Sequence, residues 1–230
     1  MKIVKMSLLL LVLVFFGCSS FKREVELAKN REPKFKVDMK SPKVPVGTVE
    51  AQLDGSISGL KKVNINVSYS PVEDAVCLEF KRNTITNYQF FDRPGRSAFL
   101  KALEKYTEDF DSKNLVNNKK TKNQYGNTEG YLIWKLTKIS DQNRDNVDFS
   151  FGYLFREKSP FFTITQGEAV FEDIFAKDSS DKIKTNGEFQ LFFTRAQSME
   201  LAAYFDQQYL RSLTNIRQET LDPNISYENY

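Results

Sequence analysis

Alternation of apolar and polar side chains, two residues to the period, recurs along this 230-residue chain and commits those stretches to half-buried strands. In KVNINVSYS, Val63, Ile65, Val67 and Tyr69 share one face. SPVEDA then supplies a turn. AVCLEFKRNTITNYQFF gives two more strands or one long bent one, with RNT as the break. Farther on, EGYLIWKLTKI puts Leu132, Trp134 and Leu136 on one face, and VDFSFGYLF does the same for Val147, Phe149, Phe151, Tyr153 and Phe155. Lys158, Ser159 and Pro160 turn into FFTITQ, and GEFQLFF is the last clear strand. The stretch SKNLVNNKKTKNQYGNTEG between the halves reads as a polar loop.

Two segments have the helical period instead. In RSAFLKALEKYTEDF, Phe99, Leu103, Tyr106 and Phe110 form one stripe of an amphipathic helix. Thr194 with Gln197 has the capping-box spacing, opening a helix whose Met199, Ala202, Ala203 and Tyr204 or Phe205 face inward. The expected fold is therefore α+β, a mostly antiparallel β-sheet meander with two amphipathic helices packed on one face. YQFFDRPGRSAFLKALEKY and FQLFFTRAQSMELAAYF share a strand ending in Phe-Phe, a capping residue, an arginine and a helix. Two similar halves arising by duplication are one explanation; the commonness of strand–cap–helix units is the other.

Domain organisation follows from where these periods begin. Residues 1–17 read as a signal peptide, with basic Lys2 and Lys5 ahead of an apolar run from Leu8 to Phe16 that is too short to span a bilayer as a helix. Residues 18–45 hold eight Lys/Arg, four Asp/Glu and three Pro, a composition that buries too little apolar surface to offset ordering entropy. They are expected to be a disordered basic tether. Residues 46–213 form the single folded domain, and residues 214–230 a flexible C-terminal tail.

The residues Phe15, Phe16, Gly17 and Cys18 close the apolar run with a small residue directly before a cysteine. This resembles the lipobox of bacterial lipoproteins, with Phe15 where that family usually has leucine. The resemblance implies cleavage before Cys18 and acylation of the new N-terminus, an anchor with chains enough for stable membrane attachment. Ser19 stands where inner-membrane lipoproteins carry aspartate, so the resemblance implies the outer membrane, on its periplasmic face or at the cell surface.

Removing residues 1–17 takes away two lysines and no acid, so the 33 basic residues fall to 31 against 30 acidic ones. That balance carries no footprint for nucleic acid. With Cys18 acylated, Cys77 is the one thiol left and no internal disulfide forms; within AVCLEF it reads as a small buried hydrophobe.

The chain has no histidine, which excludes Ser-His-Asp and Cys-His nucleophile systems and HExxH zinc sites. No phosphate-cradling glycine motif occurs. Asp141, Asn143 and Asp145 begin like a calcium loop, but Gly152 stands where the bidentate glutamate is required, so a polar turn is the better reading and no metal is expected. Arg93, Arg96 and Arg195 flank helix N-termini, where an anion would find both charge and dipole; the alternative is pairing with acids such as Asp92 or Glu104. The 20 phenylalanines and 10 tyrosines fill a core or wall a cavity.

These observations point to a membrane-anchored, non-catalytic lipoprotein of the cell envelope that docks an envelope protein or scaffolds an assembly, with no cofactor. Two other readings stay open. One is a binder of a lipid or other apolar ligand in an aromatic-lined cavity over residues 147–165; the other is a hydrolase using paired carboxylates.

Overall fold

The computed structural model describes residues 35–55, 59–117, 123–136, 142–172 and 183–221. Four strands come first: β1 (Val44–Gly55), β2 (Gly59–Ser70), β3 (Ala75–Arg82) and β4 (Ile85–Phe91). Helix α1 (Arg93–Asp111) follows directly. The second set is β5 (Asn123–Lys135), β6 (Asn143–Arg156), β7 (Ser159–Gln166) and β10 (Phe189–Phe193), interrupted before β10 by the short ribbon β8 (Ala169–Glu172) and β9 (Ile183–Asn186). Helices α2 (Arg195–Phe205) and α3 (Gln207–Leu221) end the described chain.

The sheet is a closed barrel in the order β1-β10-β7-β6-β5-β4-β3-β2, every neighbour antiparallel. This corrects the expectation of an open meander with two helices packed on one face: the meander returns on itself, and three helices lie among the described residues. Alternation states which face of a strand is apolar, not whether the first and last strands meet. Closure rests on two residue pairs, Gln52 with Phe192 and Leu53 with Leu191, a signal too local to read from periodicity.

The inward faces fill the barrel. Val49, Ala51, Ile65, Val67, Val76, Leu78, Leu132, Val147, Phe149, Phe151, Phe162, Ile164, Leu191 and Phe193 belong to one buried cluster with Phe99, Leu103 and Tyr106 of α1. Phe99 sits 5.5 Å from both Phe151 and Phe162 and 4.6 Å from Phe205 of α2, ring centre to ring centre. Gly130 makes room for this packing: a Cβ there would lie 2.7 Å from the Phe149 ring and 2.8 Å from the Phe90 carbonyl oxygen.

Capping chemistry sets where the helices start. The Asp92 carboxylate accepts from the Gly95 N–H at 2.9 Å, with Pro94 in the first turn. Thr194 and Gln197 form the expected reciprocal box. The inward face of α2 agrees with expectation in part: Phe205 is buried and Ala202 and Tyr204 pack on the core, but Ser198 and Leu201 are buried while Met199 is half exposed and Ala203 exposed. Packing against α1, not the polarity of the stripe, chooses the face. Both four-strand sets thus end in a Phe-Phe strand, a cap and a helix, with Phe91 and Phe193 turned inward.

Structure extends beyond the expected bounds at several places. β5 begins inside the stretch read as a polar loop, with a register shift between Gln124 and Gly126. α3 runs through the start of the stretch read as tail. On the outer wall, Val37 is buried against Cys77, Tyr88, Phe90, Tyr131 and Ile133, flanked by Phe35 and Met39. Residues 35–39 are therefore a strap on β3, β4 and β5, although composition places them in the tether.

Candidate functional site

The first strands form a long hairpin, paired without a break from Gly47–Val67 to Gly55–Gly59. β2 and β3, by contrast, pair only from Asn66–Glu79 to Ser70–Ala75. Residues 59–65 of β2 have β1 on one side and, among the described residues, no strand on the other. Residues 80–82 of β3 likewise pair only with β4. Among the described residues, the barrel wall is open at this seam.

A cavity of about 360 Å³ occupies the opening, lined by Lys62, Val63, Asn64 and Asn66 from β2 and by Glu79, Phe80, Lys81 and Thr86 across the gap. Alternation gives it two layers. Phe80 is buried and Val63 packs on the main core, so the floor is apolar. Lys62, Asn64 and Lys81 are exposed and form the rim. Lys62 pairs with Glu50 at 3.1 Å across the hairpin, both partly exposed, a contact of small net worth. Lys61 and Lys81 have no ion-pair partner among the described residues.

The hairpin is fastened on its other flank. Arg156 at the end of β6 forms an ion pair with Asp54 near the hairpin tip and lies 4.8 Å from the Phe192 ring centre. A second cleft, of about 430 Å³, lies between Asp54, Gly59 and Leu60 and the Arg156–Phe161 turn, but this ion pair bridges it.

Beneath the open seam the lumen turns polar. Gln89 donates from Nε2 to Gln166 Oε1 at 2.9 Å, with both side chains fully buried. Asn186 on β9 donates to Asn87 Oδ1 at 2.7 Å and accepts from Arg82, whose guanidinium stacks 4.4 Å from the Phe189 ring centre. The Asn186 bonds join the ribbon to β3 and β4, and the Gln89–Gln166 bond joins β4 to β7 across the lumen.

The residues singled out by sequence are distributed elsewhere. Arg96 is buried and bonded to Asp74 at 2.7 Å and to Gln207 Oε1 at 2.5 Å. Arg195 pairs with Asp111 at 2.7 Å and lies 5.3 Å from the Phe110 ring centre; Arg93 is exposed. Two of the three arginines are thus held by different acids. Asn143 and Asp145 lie on β6, where the Asp145 carboxylate accepts from the Val170 N–H at 2.9 Å; Asp141 lies outside the described residues, as does Cys18. No cluster of three metal-ligating side chains occurs among the described residues.

Two neighbouring carboxylates carry shifted acidities. Burial works to raise Asp74, but hydrogen bonds from Tyr69 and Arg96 and the Arg96 charge outweigh it, so its pKa is lowered. Burial also opposes ionisation of Glu73, and bonds from Ser41 and Ser70 with the Asp38 N–H overcome it, lowering that pKa too. Both shifts run opposite to what a general acid needs. Burial pushes the Cys77 thiol up, which disfavours the nucleophilic thiolate under the strap.

Lys61 and Lys62 belong to no motif. Their signal was legible as two consecutive lysines breaking the alternation at the start of KVNINVSYS.

A family model described as an uncharacterised Treponema protein matches residues 21–212, which takes in the whole barrel, α1 and α2. The chain belongs to this Treponema family. No curated protein and no solved structure matches it. Within the Treponema family's matched span lie both the strap and the open seam.

Proposed function

We propose that this protein is a lipid-anchored, non-catalytic docking module of the bacterial envelope, and that partners bind at the open seam between β2 and β3. The observation that carries the docking reading is the end of the β2–β3 ladder at Asn66–Glu79 above a cavity of about 360 Å³. An unpaired strand edge over an apolar floor is a ready template for added backbone. Anchoring rests on the Gly17–Cys18 junction after the short apolar run. The aromatic residues between 147 and 165 pack on one another and on α1, which favours a core role for them over a ligand chamber.

The test is a photocrosslinking side chain placed at position 64, on the seam, and as a control at position 190, on the outer wall of β10, in the full chain within its native envelope. An adduct of defined mass from position 64 and none from position 190 is the expected result. Equal labelling from both positions, or none from position 64, overturns the reading.

A further inference from the structure

We infer that the edge of β2 over residues 59–65 takes up an extended polypeptide strand bearing acidic side chains, and that Lys81 on the opposite rim selects for them. The inference rests on the docking reading and adds the chemistry of the partner.

The backbone argument comes first. A strand with one paired side presents a row of N–H and C=O groups at a spacing set by its own pleat, and an extended segment satisfies them by pairing. The partner's side chains then alternate between two surroundings. Those turned inward meet Val63 and Phe80; those turned outward meet the rim of Lys62, Asn64 and Lys81. An alternating apolar and charged segment fits both layers.

Charge decides its sign. Lys61 stands opposite Leu53 across the hairpin, on the same face as Val63 and Ile65, yet it is exposed. A lysine turned toward the inner face of an edge strand is a recognised guard against pairing with copies of the same edge. Self-pairing of two β2 edges would also bring Lys61 and Lys62 of one copy toward those of the other. An acidic strand avoids the like-charge clash, and its outward carboxylates supply the counter-charge that Lys81 lacks among the described residues.

The experiment uses the full chain with Cys18→Ser and three synthetic ten-residue peptides that alternate valine with glutamate, glutamine or lysine. Binding is read by fluorescence anisotropy, and its location by protection of the amides of residues 59–65. The valine–glutamate peptide is expected to bind best and to protect those amides. Lys81→Glu, an exposed change on the rim, is expected to weaken it by about fivefold and to improve the valine–lysine peptide. Absence of protection at residues 59–65, equal binding of all three peptides, or indifference to Lys81→Glu overturns the inference. So does concentration-dependent dimerisation through the same amides, which would make a second copy the partner. A seam crosslink from position 64 alongside failure of the acidic peptide would overturn the acidic-strand assignment and leave the docking reading standing.

Discussion

The Arg96 guanidinium lies 2.7 Å from the Asp74 carboxylate, with Arg96 2% exposed and Asp74 40% exposed, so α1 is tied to the β2–β3 turn through an ion pair closed to water on one side only. Gln207 at the start of α3 and the Phe91 carbonyl oxygen accept from the same guanidinium, and the Tyr69 hydroxyl donates to Asp74 at 2.8 Å. One arginine thus joins two helices to the paired end of the β2–β3 seam. That the seam opens only beyond Asn66–Glu79 agrees with where this fastening lies.

Removing the acid leaves a buried charge without its counter-ion. Asp74→Ala is expected to cost about 3 kcal/mol of unfolding free energy, measured by urea denaturation of the full chain with Cys18→Ser. A loss under about 1 kcal/mol would mean that the backbone carbonyls and Gln207 suffice for Arg96.

The same pair predicts a pH dependence. Asp74 has a lowered pKa in the folded state, so its contribution is complete above the ordinary carboxylate value of about 4 and is lost as pH falls through the lowered value. Glu73 adds to this in the same direction. Thermal midpoints taken between about pH 6 and pH 2 are expected to fall less steeply for Asp74→Asn than for the parent chain. Parallel curves would show that Asp74 does not contribute to the acid limb.

The strap has its own assay, because it covers a thiol. Phe35 and Tyr131 meet edge to face at 6.3 Å between ring centres, Val37 is buried, and Glu73 accepts from Ser41 and the Asp38 N–H. Val37→Asp is expected to loosen residues 35–39 and raise the rate of Cys77 labelling by a thiol reagent at least about tenfold in the Cys18→Ser background. An unchanged rate would mean that the wall shields Cys77 without the strap.

Gly130→Ala tests the packing inside the barrel. The added methyl meets the Phe149 ring and the Phe90 carbonyl, and the carbonyl belongs to a paired strand that yields little. A loss of about 1–3 kcal/mol is expected from denaturant unfolding.

What the sequence made legible follows from how each feature is encoded. The strands through Val63–Tyr69 and Val147–Phe155 and the stripe of Phe99, Leu103 and Tyr106 are visible because burial imposes its period on the residues themselves. Closure at Gln52–Phe192 joins residues far apart in the chain and leaves no periodic trace. The strap was hidden because Phe35, Val37 and Met39 alternate with Lys36, Asp38 and Lys40, a strand-like pattern inside a charge-rich, proline-containing stretch. The seam was hidden because β2 alternates through Val63 whether or not a neighbour pairs with it; only the Lys61–Lys62 doublet marked the edge. Arg96 had the position of an anion-binding residue, and its acid lies across the fold on another turn, where sequence spacing cannot place it.

Lipid attachment is checked by detergent phase partitioning of the full chain made in its native envelope. The parent chain is expected in the detergent phase and Cys18→Ser in the aqueous phase. Equal partitioning of the two would remove Cys18 as the anchor.

The most direct measurement is residue-resolved amide hydrogen exchange along β2. An open seam predicts alternating slow and fast amides over residues 59–65, since only those facing β1 are bonded, and continuous protection from Asn66 to Ser70. Uniform protection over both stretches would show a paired wall and contradict the account.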